Sequence, residues 1–494
     1  MAGDITNPGD FEMEKAILIT SRGMEVDLIK HNMINSIAIW EDITQTHVSG
    51  QIFLNNAVAL SSIGPIIGQE YLLLKIKTAG FEEPDTMIDY SENALTIHSV
   101  QERIDDKSGI ELLILNFITS EQLTNQRTKI NRVLKGSYSD IVYNILINDI
   151  DCHKDLYIEP TDGNKKIISP NSRPFDIIDM AESESISKEV KSPTFLFFET
   201  LRGYHFRSLD SLYATPPQLR YDASSDAGLK VHKKGRGAGS VDIFAGLTSL
   251  IDYEIINGSD SLVNYTVGTY GSKLIVHDIF NKNYQEFTYN MLKNFDDERH
   301  IEYYSTGKQN PIYNSTIVDK EKNKNVSDFP ARTFVTPTSL KDDTVYTDAT
   351  HHTSENNNPF SAQKSQTWLQ RRNSQMRQLE NGFLVSILTL GNTVISAGDV
   401  VTLDLPMPLA GSFKYLDSDA DEYVNFTPDK WYKGAFLIKR IRHDFDIAAG
   451  KHHSNMVLVK DSLTEEIESS GKPEPKGGGG TVFTDFHQNL EFYA

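Results

Sequence analysis

Histidines and carboxylates are the residues from which a catalytic or metal-binding reading has to start. His351-His352 and His452-His453 are adjacent pairs. Neighbours on a strand point to opposite faces, so neither pair makes a bidentate metal site. His443 lies beside Asp444 and Asp446 with no nucleophile pattern around it, and it reads as a structural strand histidine. The run DSDADE, residues 417 to 422, has the acids of a calcium loop. It lacks the central Gly and the distant bidentate Glu that such a loop needs, so it reads as a solvated hairpin tip. Glu199 and Asp210 are among many acids that would suit a glycosidase pair, a chemistry that asks only for two carboxylates at the right separation. Spacing along the chain gives no reason to single them out. No GxSxG, P-loop, HExxH or CxxC pattern is present. The expectation is a non-enzymatic protein with no catalytic residue, no metal ligand set and no cofactor.

Charge narrows the partners. The chain has 68 acidic against 48 basic side chains, a formal net charge of −20, which repels phosphate backbones. Its best candidate basic patch, Lys233, Lys234 and Arg236 within LKVHKKGRGAGS, sits among glycines. A phosphate-cradling loop should open a helix directly after a strand, so this stretch reads as an exposed loop. The single cysteine, Cys152, rules out an intrachain disulfide framework and a multi-cysteine zinc site, and it fits synthesis in a reducing compartment. No apolar run is long enough to cross a bilayer as a helix, and the acidic start MAGDITNPGDFEMEK is unlike a secretory signal.

The elements behind these residues are mostly strands. From 15 to 120, AILITSRGMEVDLI, INSIAIWED, HVSGQIFLNN, EYLLLKIKTAG and ALTIHSVQERIDDKSGIELLILNFITS alternate or run apolar between turn residues. They predict an antiparallel barrel or sandwich, with a short helix only at AVALSSIGP. From 121 to 192 the period changes. Ser137 is a helix N-cap before Ile141, Ile145 and Leu146, and Pro174 opens a second helix carrying Phe175, Ile178 and Met180. Then comes FLFFETLRGYHFRSLDSL, residues 195 to 212, a hairpin with Gly203 at its turn. Phe195 and Phe197 share one face and Phe198 and Thr200 the other, so both faces are candidates for core. Strands resume to 304. Residues 305 to 362 lack periodicity and read as a long polar connection. AQKSQTWLQRRNSQMRQLENG is one polar helix ending at Gly382, and strands return from Phe383 to Leu463. GKPEPKGGGG then links to an aromatic end, TVFTDFHQNLEFYA.

Several segments in order carry a family resemblance. HVSGQIFLNNAVALSSIGPIIGQEYLLLKIK, with its turn from Pro65 to Glu70, resembles the first tube-like domain of baseplate central hub proteins of contractile-tailed bacteriophages. GNTVISAGDVVTLDLP, WYKGAFLIKRIRHDF and MVLVKDSL resemble that family's second tube-like domain, through Gly398-Asp399, Tyr432, Gly434 and His443. GTYGSKLIVHDIFNKNYQEFTYN and the aromatic hairpin are similar to the stretch between those barrels. IIGQEYLLL (66 to 74) and ISAGDVVTL (395 to 403) share an apolar lead, a Gly, an acid and a β run, the trace of a duplication.

The resemblance implies a mainly β fold with α+β insertions: two tail-tube-like antiparallel β-barrel domains plus smaller α-rich or α+β domains. The expected segments are an N-terminal arm (1–14), a first barrel (15–120), an α-rich insertion (121–192), and a hairpin junction with a β-rich middle (193–304). A polar connection (305–362), a helix with the second barrel (363–465) and a linker with aromatic tail (466–494) follow. It further implies a homotrimer whose six barrels match a hexameric tail tube protein on one side and a trimeric central spike protein on the other. Baseplate wedge proteins surround it, DNA meets it only in passage, and nothing inserts in a membrane. The expected location is the virion's tail baseplate, after synthesis in the host bacterial cytoplasm. A VgrG-like tip of another contractile injection system is the alternative, and a cell-wall-degrading enzyme a more distant one. VgrG-like chains usually continue into a β-helical spike, so the ending here favours a separate spike protein. Phe483, Phe486, Phe492 and Tyr493, beyond the glycine linker, are the candidate partner-binding residues.

Overall fold

The computed structural model describes residues 8–56, 66–78, 87–105, 111–222, 247–257, 260–278, 282–312, 317–319, 324–338, 362–406 and 428–466. The expected helix at AVALSSIGP, the basic cluster, DSDADE, His351-His352 and the aromatic tail lie outside the described residues.

Alternating apolar residues build the first half. Tyr71–Thr78 buries Leu72, Leu74 and Ile76 on one face, and its neighbours Phe11–Ile19 and Met87–Asp105 pair with it antiparallel. Glu111–Thr119, Ser49–Asn56 and Ile34–Asp42 continue the sheet, and one apolar core fills it. The second half runs Leu250–Asn257, Phe383–Leu390, Lys451–Lys460 and Pro428–Asp446, with Val400–Pro406 and Arg220–Asp222 beyond, over a separate core.

The two halves share one 13-stranded sheet. Pro428–Asp446 is long enough to serve both. Its first part pairs with Val400–Pro406, and its last part, Arg440–Asp446, pairs antiparallel with Ser36–Asp42 of the first half. Single bridges tie further borders: Asp10, at the start of the first half, meets Lys451 of the second, and Asp222 lies beside Ser249 within the second. The mainly antiparallel β architecture read from the sequence is thus present, with the barrels fused edge to edge.

The duplication signal has a structural counterpart. Gly68 and Gly398 both take positive φ, and each precedes an acid that folds back on its own turn. The Glu70 carboxylate accepts the N–H groups of Ile67, Gly68 and Gln69 at 2.9, 2.9 and 3.0 Å. Asp399 accepts the Ser396 N–H at 2.9 Å. Each turn launches a barrel strand.

Smaller units attach at the seams. Ser137 caps Tyr138–Asn148 through a full capping box, and Pro174 opens Pro174–Glu184, both as expected. The insertion also holds a third helix, Ser120–Arg127, and short strands at Val133–Gly136, Asp155–Ile158 and Lys165–Ile168, which are too brief for a periodic signal. The hairpin Phe195–Thr200 with Gly203–Ser208 is buried on both faces. Phe195, Phe197, Tyr204 and Phe206 enter the insertion's core, while Leu196 and Phe198 enter the second barrel's. Gly203, at φ 144°, lets the Asp155–Ile158 strand pair in parallel, because a Cβ there would sit 2.2 Å from the Asp155 carbonyl oxygen.

Part of the stretch read as connection is folded. Arg332–Thr338 pairs in parallel with Gly271–Asp278, making a three-stranded sheet with Asn283–Asn290, and Asn310-Pro311 pairs with Ser462-Leu463. Its β-branched TFVT core was too short to show against polar surroundings.

Candidate functional site: charge buried where the units meet

Ion pairs are concentrated at the docking seams. Lys154 of the insertion reaches Glu121 at 2.7 Å and Glu199 of the hairpin at 2.5 Å, and Glu199 is fully buried. The other Glu199 oxygen accepts the Val48 N–H at 2.8 Å and the Thr119 hydroxyl at 2.6 Å, both from the first barrel. Burial pushes the Glu199 carboxyl above its ordinary value against the pull of Lys154. Three units therefore meet on one carboxylate.

The long helix Ala362–Asn381 forms a second seam. Several of its polar residues are buried. Gln370, Ser374 and Gln378, spaced i, i+4, i+8, are buried. Gln370 donates to the Ser272 carbonyl at 3.0 Å, and the Ser374 hydroxyl donates to the Thr269 carbonyl at 2.8 Å. Arg372 donates to the Glu182 and Phe195 carbonyls and pairs with the Glu182 carboxylate at 3.1 Å. Burial, opposed by Arg372, holds Glu182 up at about 7. Arg371 pairs with Asp210 at 2.9 Å, and Gln375 donates to the same carboxylate.

Beside this helix His300 is bonded to Asp461 at 2.9 Å and stacked on Phe295. Burial works against its charge, but Asp461, Glu298 and Asp210 raise its pKa above the ordinary imidazole value. Lys460 and Glu302, both fully buried, pair at 3.1 Å, and Glu302 also accepts the Ala435 N–H. Burial lowers the Lys460 pKa despite Glu302.

A third seam joins the barrels. His443 meets His452 at 3.1 Å between ring nitrogens, and its other nitrogen lies 3.6 Å from Glu41. Glu41 accepts the Ala397 N–H at 2.9 Å. Burial, then His443 and His453, hold His452 well below its ordinary pKa. Asp42 and Arg440 pair at 2.7 Å alongside.

The residues weighed for chemistry take structural places here. His452 is buried and His453 half-buried, as alternation on a strand requires. His443 is a core strand histidine, and Asp444 pairs with Arg442. Glu199 and Asp210 sit in separate salt-bridge networks. Burial pushes the Cys152 thiol up to about 11. Among the described residues no group of three or more His, Cys, Asp or Glu is placed to hold a metal ion. Of the seam residues, Glu199, Asp210, His443 and His452 drew attention in the sequence for other chemistry, while their partners Lys154, Glu121, Glu41, Arg371 and Lys460 did not. The one available signal was the short, neutral Gln/Ser stripe on a helix whose other faces carry arginine.

Fold and seams together define a class: fused antiparallel barrels with small α/β units locked on by buried charge. Among solved structures the chain is similar to the tail protein from Neisseria meningitidis, with TM-score 0.50 and 9% identity, covering 92% of this chain and 97% of that one. This likeness shows a shared fold, in agreement with the resemblance to phage tail proteins read from the motifs. A 43 kDa tail protein of a prophage from Shewanella oneidensis matches with TM-score 0.46 and 8% identity, covering 90% and 98%. A type VI secretion system component from E. coli matches with TM-score 0.37 and 7% identity, covering 91% and 76%. No protein-family model and no curated protein matches the sequence.

Proposed function

We propose that the chain is a structural hub of a contractile tail's baseplate. It works as a homotrimer whose six barrels form a pseudo-sixfold ring between a hexameric tail tube and a trimeric spike, flanked by wedge proteins. The observation that carries this reading is the joining of two barrels, edge to edge, within one chain. Three such chains supply six barrels while keeping threefold symmetry, so one molecule faces partners of both symmetries. The tail-protein fold over nearly the whole chain supports it.

The ring encloses the path of DNA ejection. On the first barrel the charges Asp89, Lys75, Glu14, Lys77 and Glu12 form a cross-strand ladder in which the lysines are already paired with acids. Such a wall releases few counterions from passing DNA and holds it weakly. The protein then resides in the virion's tail after synthesis in the host cytoplasm. The aromatic tail, with Phe483, Phe486, Phe492 and Tyr493, docks on a neighbouring tail component. Purified tails labelled with an antibody to this chain test the placement. Label at the baseplate supports it, and label elsewhere or absent from tails overturns it.

A further inference from the structure

A small recess with surplus positive charge lies where the aromatic hairpin meets the second barrel. Arg202, His205 and Arg207 line it from the hairpin, and Gly398 and Asp399 line it from the barrel's turn. It is partly open to solvent and admits about one water-sized particle. Gly398 keeps the space clear of side chain. A Cβ there would point between Phe198 and Leu212, which also line the recess, at 3.0 and 3.6 Å.

The two arginines are unequally matched. Arg202 is held by Asp399, at 3.2 and 3.0 Å from its two terminal nitrogens, and also donates to the Val394 carbonyl. Both Asp399 oxygens are thereby engaged, and one of them accepts the Ser396 N–H as well. Arg207 has no such partner. Its Nε donates to the Ser211 hydroxyl at 2.9 Å and a terminal nitrogen to the Ser211 carbonyl at 2.8 Å. Among the described residues no carboxylate pairs with it. Glu159 acts on it only from longer range and is itself bound to the Ser208 N–H and hydroxyl. Two guanidinium groups therefore share one close carboxylate, and a positive charge is left over. Burial of that charge pulls the Arg207 pKa below its ordinary value.

His205 supplies a donor beside that charge. Its ring is clamped between Phe198 and Tyr157, stacked at 4.8 and 4.6 Å, and is only 9% exposed. Its Nε2 lies 3.0 Å from the Thr200 hydroxyl, whose other acceptor, the Gly203 carbonyl, is farther away at 3.4 Å. The hydroxyl therefore donates to Nε2, and the ring hydrogen of the neutral imidazole sits on Nδ1. That Nδ1 is buried with no hydrogen-bond partner among the described residues. A buried donor left unpaired is costly.

We infer that this recess binds a single halide-sized anion, held between the Arg207 guanidinium and the His205 Nδ1–H. The leftover charge selects an anion over water, and the size of the space selects a single-atom anion over phosphate. Bound there, the ion neutralises Arg207, gives Nδ1 its acceptor and ties the hairpin to the barrel's turn. Burial, then Arg207 and Arg202, hold the His205 pKa down. A negative charge beside them opposes that repulsion, so binding raises it.

Urea titration of the full chain at fixed ionic strength tests the site, with sodium chloride or bromide exchanged against sodium gluconate, whose anion is too bulky for the space. The folded-to-unfolded ratio is expected to rise with halide, about tenfold at ten times the dissociation constant. Arg207→Met is expected to fold and to lose that halide dependence. The His205 ring-carbon resonance, assigned with His205→Gln, is expected to shift on addition of chloride and not of gluconate. Equal stability in all three salts overturns the site, and so does a halide gain that Arg207→Met retains. Should Arg207→Met misfold, the wild-type His205 resonance decides: a chloride-dependent shift upholds the site, and an unmoved resonance overturns it.

Discussion

Lys154→Met removes the only cation between two buried carboxylates. In the folded protein Lys154 holds Glu121 and Glu199 at 2.7 and 2.5 Å, with the three side chains 10%, 7% and 0% exposed. Breaking a buried pair by deleting one partner costs about 3–5 kcal/mol, because the remaining charge is stranded. One Glu199 oxygen keeps the Val48 N–H and the Thr119 hydroxyl, so the carboxylate stays in place while its neutralisation is lost. Val48 therefore reports the opening of this seam. At about 1.4 kcal/mol per factor of ten, its amide should exchange two to three and a half orders of magnitude faster in the variant. The deficit should shrink as pH falls. Glu199 already titrates above its ordinary value, loss of Lys154 raises it further, and a proton then neutralises the stranded charge. Adding Glu121→Gln and Glu199→Gln should restore most of the protection. Acceleration of less than about fivefold, typical of an exposed pair worth under 1 kcal/mol, would refute the reasoning.

Phe197→Ala should cost about 3–5 kcal/mol by emptying a site stacked against Tyr204 and edge-on to Phe175. Thermal melting checks this, and normal melting with lost assembly would make the hairpin a contact surface instead. Gly203→Ala should cost at least about 2 kcal/mol, since its φ and the Asp155 carbonyl both exclude a Cβ; wild-type denaturation would contradict it. His205, held down at about 3 by burial and then by Arg207 and Arg202, stays neutral when folded but takes a proton below about 6.5 when unfolded. Stability from this residue is full above that pH and falls by about 1.4 kcal/mol per unit below it, down to about 3. His205→Gln should flatten the pH dependence by that slope in denaturant titrations, the buried acids acting alike in both proteins. Deleting residues 477–494 should weaken association with isolated tail components without altering the melting of the chain.

Where burial followed a period of two, the sequence was readable. Leu72, Leu74 and Ile76, and the two-faced Phe195–Thr200 strand, announced themselves by alternation. The Ser137 capping box and Pro174 did so by local hydrogen-bond chemistry. Arg332–Thr338 was hidden because its partner, Gly271–Asp278, lies some sixty positions away and pairing leaves no local mark. The seams were hidden for a related reason. Lys154, Glu121 and Glu199 are ordinary surface types whose burial depends on three units converging, and the Gln370–Ser374–Gln378 face looked polar because its partners are backbone carbonyls. The fusion of the barrels through Arg440–Asp446 and Ser36–Asp42 spans about four hundred residues, so only the tertiary fold reveals it.

Native mass spectrometry of the full chain over a concentration series tests the central claim most directly. A dominant species at three times the 55.6 kDa chain mass, growing in with concentration, is the predicted result. A monomer throughout, or a species whose copy number is not a multiple of three, would contradict the account.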